Sequence, residues 1–411
     1  MIVSHQTTLR DTAIRPAAPR GLLALLTAAA FLIFAQAFMI APILPHLANV
    51  FHTAPGVVGL AVPAYLVPYG AMTLLWGPLS DRLGRRPVIL GSLAAFTVLT
   101  AATAIAPNVG TFIGIRLATA IGASGVVPIS LALIGDLFPF HKRGHALGWL
   151  FGGMAGGISA GAAGGALAEP LIGWPGLFLT AASAGLVLLA LAWATRTVPP
   201  TPGSGAILRP RGITVKYLAL LRSARGRRTY GYVLINALVQ SGIYTWLGVY
   251  LQDRFGLDEG GIGLALLGYG IPGFLLGPFI GRLADRYGRA RIIPAGVALT
   301  AVCALLLATP LSRLGVQATI VALSLGYDMT QPPLGGIVTD LPGHRGLAMG
   351  LNVFALFTGM GLGALVFQLL LPAGFAVALT IFGTFALLAA AAAIILFRDE
   401  RPQTTRAGTA A

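Results

Sequence analysis

Gly77-Pro78-Leu79-Ser80-Asp81-Arg82-Leu83-Gly84-Arg85-Arg86 is a short, charged, glycine-bounded break between long apolar stretches, and the chain carries it twice. The second copy, Gly281-Arg282-Leu283-Ala284-Asp285-Arg286-Tyr287-Gly288-Arg289-Ala290, lies 204 residues later; it keeps both glycines, the Asp-Arg pair and the arginine after the second glycine, and has Ala290 in place of the last arginine. The likeness extends outward: Gly59, Leu60, Ala61, Tyr65 and Pro68 recur as Gly263, Leu264, Ala265, Tyr269 and Pro272. A second block, Arg143-Gly144 with Ala146 and Gly148, recurs as Arg345-Gly346 with Ala348 and Gly350. The chain therefore reads as two parallel copies of one unit, a plan in which transporters place their substrate site near mid-membrane between the halves.

The surroundings of these breaks are apolar. Of 411 residues, 56% are hydrophobic and 9% charged, against roughly 25% charged in a soluble domain. The net charge of +15 does not mark a nucleic-acid binder, because the basic residues sit in short breaks between apolar runs and not on one soluble domain. Cys303 is the single cysteine, so no intrachain disulfide is available, and it reads as packing. Ala35-Gln36-Ala37 resembles a signal-peptide cleavage site, but the apolar run continues through Phe38-Met39-Ile40 and fits the ~20 residues that cross a bilayer.

Apolar runs long enough to cross are expected at about 21–44, 57–79, 87–106, 110–134, 145–168 and 175–195, then 230–251, 261–281, 291–309, 314–338, 346–371 and 374–397. The expected fold is an all-α membrane protein with twelve transmembrane helices in two pseudo-symmetric six-helix bundles. Residues 1–20 form an N-terminal tail, 21–195 the first bundle, 196–229 a linker, 230–397 the second bundle and 398–411 a C-terminal tail. The linker holds eight Lys/Arg and no acid, and its stretch Ile213 to Leu221 is either a basic amphipathic helix on an anionic lipid surface or a solvated connector. With both termini cytoplasmic, 24 of the 27 basic residues fall on the cytoplasmic side, as the positive-inside rule requires. The expected location is the inner, cytoplasmic membrane.

On the repeated loop the chain resembles the major facilitator superfamily, whose signature loop G-x-x-x-D-R-x-G-R-R is matched in full by Gly77, Asp81, Arg82, Gly84, Arg85 and Arg86. The second copy supplies Gly281, Asp285, Arg286, Gly288 and Arg289. The resemblance implies a cytoplasmic gate latch, made in one conformation and broken in the other; read from the residues alone, the loop is a tight turn whose arginines meet lipid headgroups. In span four, Arg116-Leu117-Ala118-Thr119-Ala120-Ile121-Gly122 resembles the family's R-x-x-Q-G-x-G, with Thr119 and Ala120 as departures. Arg116 is ionisable inside a span and is a functional position on that ground; its structural alternatives are an ion pair, as with Glu169, or snorkelling to the outer interface. In span five, Gly157, Gly161, Gly164 and Gly165 resemble the glycine motif of the antiporter branches, with Ala162 in place of proline, and read physically as a helix-packing face. Span eleven has a looser counterpart in Gly359, Gly361 and Gly363.

If the resemblance holds, spans one, four, seven and ten line a central cavity. Their polar side chains, Gln36, Arg116, Asn236, Gln240 and Tyr244, are the candidate substrate-cavity residues; the last three follow at spacings of four and share one helical face, and their alternative role is interhelical hydrogen bonding within the bundle. Asp328 is the one carboxylate near the middle of a span, and burial would raise its pKa into range for proton exchange; its alternative role is a salt bridge or a polar helix-packing contact. Pro332 and Pro333 are expected to interrupt span ten there and free backbone carbonyls. The resemblance is to the twelve-span drug/proton antiporters, which implies proton-coupled efflux of a small amphiphilic compound, with the proton gradient as energy source. Alternatives are a symporter or uniporter for a sugar, organic acid or other metabolite, and a non-transporting membrane sensor. No catalytic constellation, metal-spaced cluster or phosphate-cradling motif is present, so no enzyme, cofactor or metal is expected. The expected partners are a small-molecule substrate and membrane lipids, with the chain a monomer.

Overall fold

A backbone that leaves water for lipid must satisfy its own hydrogen bonds, and apolar runs of this length do so as helices. The computed structural model describes residues 19–138, 140–200, 210–269, 271–341 and 345–400, and no strand occurs among them. Span one runs as Leu22–Phe38, tightens through Ala41–Ile43 and resumes as Leu44–Val50, the break falling at Pro42 and Pro45, which lack the N–H a regular helix needs. Span two comprises Pro55–Gly59 and Pro63–Leu83, span three Arg85–Thr103, and span four Val109–Ala123 with Val126–Leu137. Span five is Phe140–Ser159, continued through a widened turn at Ala160–Gly164. The helix that follows, Gly165–Ala194, turns at Gly173 (φ 69°, ψ 162°); this left-handed backbone suits a glycine and separates span five from span six.

A short helix, Pro210–Arg222, lies in the linker, and span seven follows as Ala224–Phe255. Span seven thus begins within the stretch assigned to the linker, at a Ser223 cap whose hydroxyl accepts from the Gly226 amide at 2.9 Å. Span eight comprises Glu259–Leu266 and Ile271–Tyr287; spans nine to twelve are Arg289–Leu307, Arg313–Thr339, Arg345–Leu370 and Phe375–Leu396. Nine described stretches are long and apolar enough to cross a membrane, one of them being spans five and six together. Span ten is not among them because Gln317, Asp328 and Gln331 dilute its apolar run. Span ten also corrects an expectation: Pro332 and Pro333 lie inside a continuous helix. Their rings remove two N–H donors, which leaves the carbonyls four residues back without them, yet the helix does not break.

Within each half, glycines set how closely helices approach. Had they a Cβ, Gly153, Gly157, Gly161 and Gly165 of span five would stand 2.7, 2.3, 2.3 and 2.8 Å from Thr27, Phe31, Ala35 and Met39 of span one. The second half repeats the seam: a Cβ on Gly359 or Gly363 of span eleven would meet the carbonyl oxygens of Leu234 and Leu238 of span seven at 2.4 and 2.0 Å. Gly164 does not belong to this face, since nothing lies within 4 Å of its Cβ position; the widened turn rotates it away from span one. Gly361 packs instead across the halves, against Val67 and Pro63.

The two halves meet along spans two and eleven, from Gly56 beside Gln368, through Gly70 beside Phe357, to Gly350 beside the Thr73 carbonyl and the Tyr217 hydroxyl. The end holding the first residues of span one, the linker helix and Glu400 is the linker end. At the opposite, far end the halves are closed: Gly248 abuts the Pro42 carbonyl, Gly59 the Trp246 ring and Gly263 the Leu167 side chain. Leu186, Val187 and Trp193 of span six and Leu388, Ile394 and Ile395 of span twelve are exposed and form part of an apolar outer face fit for lipid.

Candidate functional site: the seam between the halves

Asn236, Gln240 and Tyr244 do share one face of span seven, and each reaches a different helix. Asn236 donates to the Thr330 hydroxyl of span ten. Gln240 donates to the Tyr269 hydroxyl of span eight at 2.6 Å, and Tyr244 donates to the Phe38 carbonyl of span one at 3.1 Å, across the seam. Aromatic rings fill the space around them. Tyr244 stacks on Tyr269 (centroids 4.5 Å apart) and packs on Phe38 (5.9 Å), while Phe357 stacks on Tyr69 (4.4 Å) and meets Phe34 edge-on (5.8 Å).

Arg116 is fully buried. Its guanidinium lies over the Tyr65 ring at 4.3 Å and donates to the Gln36 and Ala37 carbonyls at 3.3 Å each. Among the described residues no carboxylate pairs with it. The ion pair with Glu169 is not formed, because Glu169 sits at the far end with His46. A buried cation held by two long hydrogen bonds and one ring face is under-compensated for its loss of hydration.

The same neighbourhood collects buried polar atoms with no hydrogen-bond partner: both amide atoms of Gln36, the hydroxyls of Tyr65 and Tyr69, Nε of Arg116 and Oε1 of Gln240. Each such atom costs about 1–3 kcal/mol when left unpaired. Gln36, Arg116, Asn236, Gln240 and Tyr244 are all buried, so in this conformation they face a closed seam and not an open cavity. Tyr65 and Tyr69 were not singled out from the sequence, because they lie on span two, outside the four spans expected to line the path; Tyr65 carried the one available signal, its recurrence as Tyr269.

Asp328, on span ten, is half-buried, accepts from the Ser324 hydroxyl at 3.2 Å and lies close enough to Tyr269 for their charges to interact.

The repeated loops are built alike at the linker end. Gly84 (φ 94°) and Gly288 (φ 86°) turn the chain between spans two and three and between spans eight and nine, with dihedrals only glycine adopts freely. Arg85 pairs with Asp81 at 2.7 Å and with Asp136 of span four at 3.3 Å. Arg289 pairs with Asp340 of span ten at 2.6 Å. Asp136 and Asp340 went unremarked in the sequence, although they are separated by the same 204 residues as the loops themselves. Arg82 is exposed, Arg86 half-buried, and Arg286 stacks over Tyr287 at 5.5 Å. The side chains of Gly281, Asp285, Arg143, Gly144, Arg345 and Gly346 lie outside the described residues.

A second cluster closes the far end. His46 Nε2 lies 2.9 Å from Glu169 Oε1, and its Nδ1 lies 3.2 Å from Glu259 Oε1. Sequence spacing could not reveal this trio of potential metal ligands, drawn from spans one, five and eight.

With this geometry in hand, the chain can be set beside known proteins. It is 28% identical over 274 residues to a chloramphenicol resistance protein of Pseudomonas aeruginosa, a match that covers 66% of this chain and 64%, just under two thirds, of that protein. It is 24% identical over 298 residues to a multi-drug resistance efflux pump PmrA homolog of Lactococcus lactis, covering 71% and 72% of the two. Its fold matches that of a bacterial homolog to the human lysosomal transporter Spinster, solved in an inward-facing, unoccupied conformation, with TM-score 0.72, 17% identity and coverage of 93% and 98%. The profile of the Major Facilitator Superfamily matches residues 26–261 and 232–411, and this chain belongs to that superfamily of membrane transporters.

Proposed function

We propose that this transporter exports a small amphiphilic compound in exchange for protons, by alternating access through the seam between its halves. The observation that carries the reading is the content of that seam: aromatic rings from both halves interleaved with polar atoms that have no protein partner. When the halves part, rings and unpaired polar atoms face the opening together. They then offer an apolar molecule carrying a few polar groups both stacking surface and hydrogen bonds, the usual make-up of a small-molecule site. Gln36, Tyr65, Tyr69 and Arg116 contribute from the first half, and Gln240, Tyr244 and Asn236 from the second. Two relatives, a chloramphenicol resistance protein and a multidrug efflux pump homolog, agree with a drug-like cargo.

Asp328 carries the coupling proton in this account. It lies within electrostatic range of Tyr269, which accepts the hydrogen bond from Gln240, so its charge state is felt where substrate binds. The loops around Asp81–Arg85–Asp136 and Arg289–Asp340 act as paired gate elements on the cytoplasmic face, and the linker end faces the cytoplasm of the inner membrane. Both termini lie on that side, and the chain works as a monomer.

A second reading, uptake of an anionic metabolite by symport or uniport, is favoured by one observation: Arg116 has no carboxylate partner among the described residues and could hold one from a substrate. Accumulation assays in inverted vesicles decide between the two. With an inside-acid gradient, export predicts uptake of chloramphenicol or a lipophilic cation, reduced by Gln36→Leu and Tyr69→Phe; no drug uptake, with gradient-driven loss of preloaded organic acids from the vesicles, would instead support the symporter.

A further inference from the structure

We infer that His46, Glu169 and Glu259 form a binding site for one divalent transition-metal ion of the zinc type, and that the bound ion clasps the two halves together at the far end. His46 comes from span one and Glu169 from span five of the first half, while Glu259 opens span eight of the second. Each offers one ligand atom, and these atoms lie within 4.8 Å of one another. They meet only because the halves are closed here.

Burial and charge call for a cation at this place. Glu169 is 4% exposed, and a buried carboxylate is costly unless a positive group compensates it. Among the described residues no lysine or arginine pairs with either glutamate. Arg254, at this end of span seven, donates instead to the Tyr250 hydroxyl and to the Leu307 and Leu311 carbonyls. His46 stands between the two acids, Nε2 2.9 Å from Glu169 Oε1 and Nδ1 3.2 Å from Glu259 Oε1, and one imidazole cannot neutralise two carboxylates whichever charge it carries. Packing enforces the crowding: a Cβ on Gly263, one turn into span eight, would stand 2.8 Å from Cγ of Leu167 on span five. The helices that carry Glu259 and Glu169 are therefore held at close approach, and a cation offsets the repulsion that results.

The donor set selects the metal. An imidazole nitrogen suits zinc, copper, nickel and iron, whereas calcium and magnesium ask for about six or more oxygen ligands. Three protein donors leave a fourth tetrahedral position for water. Bonds of about 2.1 Å place tetrahedral ligand atoms about 3.4 Å apart, so the trio has to draw together by roughly 1 Å and one ring nitrogen has to face both carboxylates. The side chains of His46 and Glu259, 29% and 28% exposed, have room for this movement, and buried Glu169 is the fixed ligand.

Parting the halves at this end carries Glu259 away from His46 and Glu169 and leaves the ion two ligands of three. The ion thus binds the far-closed state more tightly and draws the equilibrium toward it. The inference requires that the halves alternate and is independent of which ion or cargo they move.

Its test uses the full-length protein without a polyhistidine tag, in lipid nanodiscs, stripped of metal with a chelator. Zinc binding is titrated by calorimetry, and the far-end distance is read between spin labels at Ile105→Cys and Leu314→Cys in a Cys303→Ala background. These exposed positions lie just beyond span three and in the first turn of span ten, on opposite halves. One zinc should bind per chain, and at saturation the far-open population should fall about five- to tenfold, the scale of a typical coupling between sites. Partners that merely orient a metal ligand are worth about 10–100-fold in affinity, so His46→Gln and Glu259→Gln should each weaken binding by about 100-fold or more and abolish the shift. Magnesium should leave the population unchanged. Failure of zinc to bind below millimolar concentration, binding undiminished in Glu259→Gln, stoichiometric binding that leaves the distance unchanged, or an equal effect of magnesium would each overturn the proposal. Because no transport is read, failure here leaves the efflux reading to its own assay.

Discussion

Gly161→Ala is the sharpest test of how these bundles are assembled. The added methyl would stand 2.3 Å from the Ala35 carbonyl oxygen and 3.0 Å from that residue's C and Cα, whereas ordinary contact begins at 3.4 Å. The obstacle is backbone and cannot rotate away, so span five must retreat from span one by about 1 Å, an overpacking strain of about 1–3 kcal/mol. Helix propensity opposes this with a gain of about 1 kcal/mol for Gly→Ala, so the net loss is about 0–2 kcal/mol. Gly164→Ala is the internal control. It has a helical backbone (φ −64°, ψ −36°) and nothing within 4 Å of its Cβ position, so only the propensity gain applies. Gly363→Ala, at 2.0 Å from the Leu238 carbonyl, should be at least as harmful as Gly161→Ala. Melting of the detergent-purified variants, followed by tryptophan fluorescence, should rank Gly164→Ala highest, then Gly161→Ala, then Gly363→Ala. A Gly161→Ala protein that melts at or above Gly164→Ala would refute the reasoning.

Two further outcomes follow from the charged groups. Arg116→Met should abolish or strongly reduce transport while leaving melting unchanged or raised, because it exchanges an under-compensated buried cation for a methionine that fills similar space; a protein that melts lower and still transports would show the charge to be purely structural. Burial pushes the Glu400 carboxyl up, but hydrogen bonds and charge from Arg225 and Arg228 outweigh it and leave it below the ordinary carboxylate range. A lowered folded-state value means that the contribution is present above the unfolded-state value, about 4.3, and is lost as pH falls through the folded one. Melting measured from pH 7 down to pH 3 should therefore drop more steeply for wild type than for Glu400→Gln, and parallel curves would contradict this.

Much of the architecture was open to reading because membrane helices are specified locally. The spans follow from apolar length, the two halves from the repeated loop, and the face bearing Asn236, Gln240 and Tyr244 from helical spacing. What those residues touch was not legible: the partners Thr330, Tyr269 and Phe38 come from three other helices, and only the fold brings them together. The same holds for His46, Glu169 and Glu259. Gly164 was grouped with Gly157, Gly161 and Gly165 through the resemblance to the family's glycine motif, but the widened turn at Ala160–Gly164 shifts the helical phase and nothing lies within 4 Å of its Cβ position. Pro332 and Pro333 suggested a break, whereas span ten runs through them as one helix. Asp136 and Asp340 needed only that the repeat be followed beyond the loops to the residues facing them.

The central claim is that Asp328 exchanges a proton as the seam alternates. The most direct measurement uses the purified protein in vesicles loaded with a pH-sensitive dye, adding chloramphenicol, lipophilic cations, sugars and organic acids in turn to wild type and to Asp328→Asn. Proton-coupled export gives proton movement opposite to that of a drug-like compound in wild type and none in the variant. Compound crossing without proton flux, or with flux undiminished in Asp328→Asn, would contradict it.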